Sequence, residues 1–211
     1  MEKLVESLNW RYAAKKFDLS KKITKEQWSF LEESLRLSAS SYGLQPWKFI
    51  VIEDQKIKDD LKPLSYNQQQ INTCSHLVVF TGLKTIDEAY ITYFVEEMAN
   101  QRKMPLEALN AYKSVMIGDL CSRTDDAVKA WSKNQCYIAM GQLLVAAAVA
   151  RVDACPMEGV VAKEYDKYLK LEDTNYTTFA AVSLGFRASD DELNGMAKVR
   201  FSPDKVFKYL K

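Results

Sequence analysis

Glycine is scarce in this 211-residue sequence, and histidine scarcer still. The seven glycines stand at 43, 82, 118, 141, 159, 185 and 195. No two are close enough for a GxGxxG turn or a P-loop, so a Rossmann-type nucleotide site is excluded. His76 is the only histidine, at the start of a predicted strand, and a structural role is expected for it. GxSxG and HExxH are absent, which removes His-based triads and histidine-held zinc. Cys74, Cys121, Cys136 and Cys155 lie far apart without CxxC spacing. Neither a metal site nor a redox dithiol is expected from them, and four free thiols are. Net charge is also lacking: 29 Lys and Arg oppose 28 Asp and Glu, giving +1. That balance gives no basic surplus for nucleic acid. The longest apolar stretch, Leu143–Ala150, is too short to span a bilayer. The charged start, Met1–Glu6, has no apolar signal core, so a cytoplasmic location is expected. What remains for an enzyme is chemistry carried by a cofactor.

An apolar fraction of 47% and a charged fraction of 27% suit a folded soluble chain. No repeat, low-complexity tract or linker interrupts it, so one continuous domain over 1–211 is expected. Leu4, Val5 and Leu8 predict a helix over Glu2–Lys15. Thr24 and Gln27 form a capping box ahead of Trp28, Leu31 and Leu35. Lys48–Glu53 and His76–Thr81 read as buried strands, with a polar helix over Ile57–Ile71 between them. Helices are expected around Ala89–Lys103, Leu106–Ile117, Asp125–Arg151 and Val161–Leu171, and a third strand over Thr177–Leu184. Tyr137–Val149 is apolar nearly all round, which requires burial in the core or at a subunit interface. Phe201, Val206, Phe207 and Leu210 make a tail that should dock. Helical content this high between strands favours α+β.

Four short motifs stand out. In Trp10-Arg-Tyr-Ala-Ala-Lys-Lys-Phe17, Arg11 and Lys15 are four apart. On one helical face they could grip an anion, or simply end a helix. Ser38-Ala-Ser-Ser-Tyr-Gly-Leu-Gln-Pro-Trp47 lies between a helix and a strand. Its hydroxyls and Gly43 suit close approach to a ligand, and also suit an ordinary loop. Pro156-Met-Glu-Gly159 could be only a turn, and Lys198-x-Arg200 only surface charge. In this order and at these distances the four together resemble the FMN-dependent nitroreductase family, over residues 3 to 208. The similar branch comprises NAD(P)H nitroreductases and dihydropteridine reductase-like enzymes.

That resemblance implies a nitroreductase-like α+β fold, with a mixed, mainly antiparallel sheet covered by helices. It further implies a homodimer with a long buried helix, an exchanged carboxyl-terminal tail and FMN at the interface. Hydride would pass from NADH or NADPH through FMN to a nitroaromatic, quinone or pteridine by a ping-pong mechanism. Arg11, Lys198 and Arg200 match the family's cations for the FMN phosphate. Lys15 matches the cation near flavin N1 and O2 and is the candidate catalytic residue. Tyr12 and Ala13 lie between them, with Ala13 where a hydroxyl is common. Ala39, Ser40, Ser41 and Gly43 match the loop against the ring, Gly43 replacing a common Asn. Asn67 matches a residue at the ring edge. Gln70 stands where many relatives carry a second Lys. Pro156, Met157, Glu158 and Gly159 match the segment whose main chain faces N5 and O4. Tyr66, Tyr112, Val115 and Met116 are candidate substrate walls, and no metal is implied. Rival readings are a dihydropteridine or quinone reductase with incidental nitro activity, and a flavin-binding protein without turnover.

Overall fold

Helix starts follow local sequence. The structure, a computed structural model, describes residues 1–210. After helix α1 (Glu2–Trp10), the expected capping box opens α2 (Lys25–Arg36). The Gln27 N–H donates to Thr24 Oγ1 at 3.2 Å, and the Thr24 N–H donates to Gln27 Oε1 at 3.1 Å. Asp87 caps α5 (Glu88–Arg102) and Thr124 caps α7 (Asp125–Val149) in the simpler way, each accepting one backbone N–H. Between these come α3 (Gln55–Leu61), α4 (Gln70–Thr73) and α6 (Asn110–Leu120), and later α8 (Ala162–Tyr168) and α9 (Pro203–Val206).

The strands are β1 (Trp47–Ile52), β2 (His76–Leu83), β3 (Asp153–Met157) and β4 (Tyr176–Gly185). They form one antiparallel sheet in the order β1-β2-β4-β3. Ala13 adds a parallel bridge to Ala154 at the outer edge of β3, which makes the sheet mixed. Successive residues of β2 point to opposite faces. Val78 and Phe80 pack with α2 and α7 through Leu31, Leu35, Met140 and Leu143. Leu77 and Val79 face the other side, with Phe17, Leu61 and Tyr165. A third cluster joins α5 to α6 through Ile91, Val95, Met116 and Leu120. No described helix is long and apolar enough to cross a membrane.

The α+β class and its helix-covered sheet agree with expectation; several elements differ. The first helix stops at Trp10, because Arg11 turns extended and Ala13 joins β3. Arg11 and Lys15 therefore share no helical face. The first predicted strand is an edge strand, mostly half-exposed, rather than a buried one. The expected helix over Ile57–Ile71 breaks at Pro63 and at Tyr66 and Asn67, whose φ values are +54° and +56°. The expected Leu106–Ile117 helix splits into a tight turn at Leu106–Leu109 and α6. Asp153–Met157, around the Cys155-Pro156 pair, is a strand, so Thr177–Leu184 lies on the fourth strand. Ile138, Val145 and Val149 of the apolar half of α7 stay exposed, so that helix is not enclosed by its own chain. The tail residues Phe201, Val206, Phe207 and Leu210 are exposed as well.

His76 is buried and stacked on Trp28 at a ring separation of 4.6 Å. Its Nδ1 lies 3.0 Å from Ser75 Oγ and its Nε2 3.5 Å from Glu53. Burial lowers its pKa below the ordinary 6.5, against the pull of Glu53. The unfolded chain therefore takes up a proton first as pH falls. Stability that is fully present above pH 6.5 declines as pH drops below it. Urea midpoints at pH 7.5 and 5.5 should show this decline, and His76→Gln should remove the histidine's share of it.

Candidate functional site

The segment Arg11–Phe17 is extended because distant groups capture its backbone. Asp191 Oδ2 accepts the Lys15 N–H at 2.6 Å and the Lys16 N–H at 2.7 Å. Phe17 bridges to Arg187, donates its N–H to Thr73 Oγ1 and lies buried against Gly185. A Cβ on Gly185 would stand 2.9 Å from the Phe17 ring and 3.2 Å from the Ser75 nitrogen. This pinning carries Arg11 to one wall of a cavity of about 620 Å³. Leu193–Arg200 supplies the other wall. Lys198 Nζ donates to the Arg11 carbonyl, tying the two walls together.

Charge in this cavity is one-sided. Arg11, Arg187, Lys198 and Arg200 line it, and no carboxylate does. Arg187 is spoken for: it lies 2.5 Å from the buried Asp153 carboxylate and stacks over Trp10 and Tyr12. Arg11, Lys198 and Arg200 have no carboxylate partner among the described residues. Burial and then Arg200 depress the Arg11 pKa. Burial, Arg11 and Arg200 depress that of Lys198. Beside them, the buried Tyr12 hydroxyl makes no hydrogen bond of ordinary geometry but lies within reach of the Asp191 carboxylate. Its pKa is pushed up to about 12 by burial and by the charge of Asp191. Three cations without a carboxylate partner around one cavity give it a positive potential.

The neighbouring group sits along β3. Lys15 Nζ lies 3.9 Å from Cys155 Sγ. Burial pushes the Cys155 thiol up, while Lys15 and Gln70 pull it down. Gln70 is buried and donates to Gln68 Oε1 at 2.9 Å. Gln68 in turn donates to the carbonyls of Ser65 and Gly159, at 3.0 and 2.8 Å. A Cβ on Gly159 would stand 2.6 Å from Gln68 Nε2 and 3.6 Å from the Tyr66 ring. Lys15, Gln70, Cys155, Gly159 and Tyr66 are thus brought into one neighbourhood, on the same side of the sheet edge as Arg11. Asn67 follows Tyr66 in the left-handed region and is exposed. The Glu158 side chain turns away, accepting a bond from the Tyr137 hydroxyl and pairing with Lys133 at 3.4 Å. Tyr137 and then Lys133 hold its carboxyl below the ordinary range.

The Ser38–Trp47 loop is built separately. The Ser41 N–H donates to Gln135 Oε1 at 2.8 Å, and the Gln45 N–H to Ser40 Oγ at 2.9 Å. The hydroxyls of Tyr112 and Tyr90 donate to the carbonyls of Tyr42 and Leu44, each at 2.9 Å. These bonds hold a path with positive φ at Tyr42, Gly43 and Gln45. Behind it lies a cavity of about 810 Å³, walled by Tyr93, Phe94, Met98 and Tyr112. Val115 is exposed. Met116 is fully buried in the α5–α6 cluster, so it faces core and not a cavity.

One chain does not bring these groups together. The loop feeds β1 at one edge of the sheet, and the cation cavity adjoins β3 at the other. Three strand spacings separate those edges by about 14 Å. The helix α7 also stands between them. Gln135 meets Ser41 and Tyr137 meets Glu158. Two residues apart on a helix, those contacts lie on roughly opposite sides, about 200° around. Sequence reasoning missed Asp191, Asp153, Arg187 and Gln68. Only Arg187 had a local signal, as a cation just beyond the last strand. Among the described residues no cluster could hold a metal ion, and the cysteines are free.

Comparison with known proteins agrees with this architecture. Residues 8–186 match the model of the Nitroreductase family. A protein of Staphylococcus aureus strain N315, named as a candidate NAD(P)H nitroreductase, is 32% identical over 98% of this chain and 95% of its own. A similarly named protein of Staphylococcus saprophyticus is 27% identical, over 98% and 96%. Among solved structures, a candidate nitroreductase of Bacillus subtilis superposes with a TM-score of 0.87 at 20% identity, over all of both chains. One from Exiguobacterium sibiricum, solved in complex with FMN, gives 0.81 at 23% identity, over 99% of this chain and 96% of its own. By family model and by sequence, the chain belongs to the Nitroreductase family.

Proposed function

We propose that this protein is an FMN-dependent NAD(P)H oxidoreductase whose site is completed by a second copy of the chain. The observation that carries the cofactor is the cavity where Arg11, Lys198 and Arg200 converge without a counter-anion. A phosphate monoester carries nearly two negative charges and suits them. The names of the relatives and the FMN in the Exiguobacterium structure support the same reading. Bound there, FMN would accept a hydride from NADH or NADPH and, in a second half-reaction, reduce a flat acceptor such as a nitroaromatic, quinone or pteridine.

The chain's own residues then have distinct tasks. Arg11, Lys198 and Arg200 neutralise the phosphate, with Tyr12 and Ala13 beside them. Lys15 is assigned the N1–O2 edge, where an ammonium favours the charge that reduction brings. Asn67 and Gln70 line the same edge, Gln70 as a neutral donor. Pro156, Met157, Glu158 and Gly159 offer main chain, which fits a Glu158 side chain already engaged with Tyr137 and Lys133. Ala39, Ser40, Ser41 and Gly43 cover the ring from the partner, since their own chain holds them at the far edge of the sheet. Tyr66, Tyr112 and Val115 remain as walls for the acceptor. Exposed Leu4 and Val5 on α1, Ile138, Val145 and Val149 on α7, and the apolar tail give a homodimer its interface.

Three outcomes test this reading. Inorganic phosphate should raise the melting temperature of the cofactor-free protein above that in chloride of equal ionic strength. Arg200→Ala should cut most of that rise. On anaerobic mixing with NADH or NADPH, the yellow protein should bleach within seconds; persistent colour would leave only a flavin carrier. Gln70→Lys should raise the flavin reduction potential in a spectroscopic titration, because it adds a cation near the ring.

A further inference from the structure

Asp191 is a buried carboxylate, 5% exposed, that no cation side chain pairs with among the described residues. Three backbone N–H groups satisfy it instead. Lys15 and Lys16 donate to Oδ2 at 2.6 and 2.7 Å, and Leu193 donates to Oδ1 at 2.9 Å. Its own carbonyl accepts the Asn194 N–H at 3.0 Å. Lys15, 176 residues from Asp191 along the chain, and Leu193, two residues beyond it, bring two distant segments to the same carboxylate. One segment carries Arg11 and Lys15. The other, Leu193–Arg200, forms the opposite wall of the cation cavity and carries Lys198 and Arg200.

We infer that Asp191 is a positioning residue for the cofactor phosphate, the clamp that presents Arg11, Lys198 and Arg200 as one anion-binding unit. The inference rests on the cofactor reading above. Mutual repulsion among three cations pushes the two segments apart when no anion is bound. Lys198 bonded to the Arg11 carbonyl is one tie against this, and it uses a cation the phosphate also needs. Asp191 supplies a tie that leaves every cation free. Bonds from an ionised carboxylate to backbone N–H groups are among the strong ones. Asp191 also does not line the cavity, so its charge is set back behind the backbone groups it holds.

The test compares FMN with riboflavin, which has the same ring and no phosphate. Both are titrated into apo-protein, and quenching of flavin fluorescence is followed. Wild type should prefer FMN strongly. Asp191→Asn, confirmed as folded by circular dichroism, should weaken FMN by about tenfold or more, as the loss of a charged hydrogen bond implies. Riboflavin affinity should change by less than about threefold, so that the preference collapses. Asp191→Glu keeps the charge but cannot seat all three N–H groups at their present distances. It should show a smaller loss of the same kind, and it carries the test if the amide variant does not fold. An unchanged FMN-to-riboflavin ratio in the folded variant overturns the clamp and leaves the cofactor reading standing. Equal weakening of both flavins also overturns it, since that marks a general structural role. A wild type with no preference for FMN removes the cofactor reading and the clamp with it.

Discussion

Everything around the cation cavity depends on one short stretch of backbone leaving a helix and lying down beside β3. From Arg11 to Phe17 the chain is held by the Ala13 bridge, by two N–H bonds to Asp191 and by Phe17 wedged over Gly185. Had α1 continued to Lys15, Arg11 would stand on a solvated helix and the cation cavity would lose a wall. The pairing of partly exposed Arg187 with the buried Asp153 carboxylate underpins the same arrangement. Asp153 begins β3, and Arg187 reaches across to stack on Trp10 and Tyr12. Breaking such a pair strands a charge in a poor solvent, at a cost of about 3 kcal/mol.

A second constraint is the width of the sheet. Strand order is fixed by backbone pairing, and it sends the Ser38–Trp47 loop and the Arg11–Phe17 segment to opposite edges. The apolar surfaces of α1, α7 and the tail, left bare by their own chain, then acquire a purpose in the proposed dimer. Symmetry would supply two equivalent sites, each built from the β1-side loop of one copy and the β3-side groups of the other.

The sequence is most legible where the physics is local. Thr24 and Gln27 cap a helix through neighbours three residues away, and the expected box is present atom for atom. The strand His76–Leu83 declares itself by its own β-branched and apolar residues. The end of α1 has no such signal, because Asp191 and Ala154 decide it from far along the chain. The same holds for β3, whose Pro156 argues locally against a strand while its pairing with β4 imposes one. In the candidate site, the residues proposed to face the ligand stand out by motif order, whereas the groups that support them do not. Asp191, Asp153 and Gln68 act through backbone groups of distant segments, which leave no pattern in a one-dimensional reading. Tyr112 and Met116 show a related limit: four apart on one helix, they face a cavity and the core respectively.

The loop ahead of β1 is held by its main chain and by the side chains of Ser40, Tyr42, Leu44 and Gln45, while Ala39 and the Ser41 hydroxyl take no part. Tyr90, Tyr112 and Gln135 grasp the backbone of Leu44, Tyr42 and Ser41; Ser40 and Gln45 bond the loop's own backbone, and the Tyr42 hydroxyl donates to Asp119. Its path is therefore set by the helices behind it and by those four side chains, and not by Ala39 or the Ser41 hydroxyl. Ala39 and the Ser41 side chain can be exchanged without redrawing the loop. Evolution is thereby given two positions separable from their scaffold, which can drift while the fold beneath stays as it is.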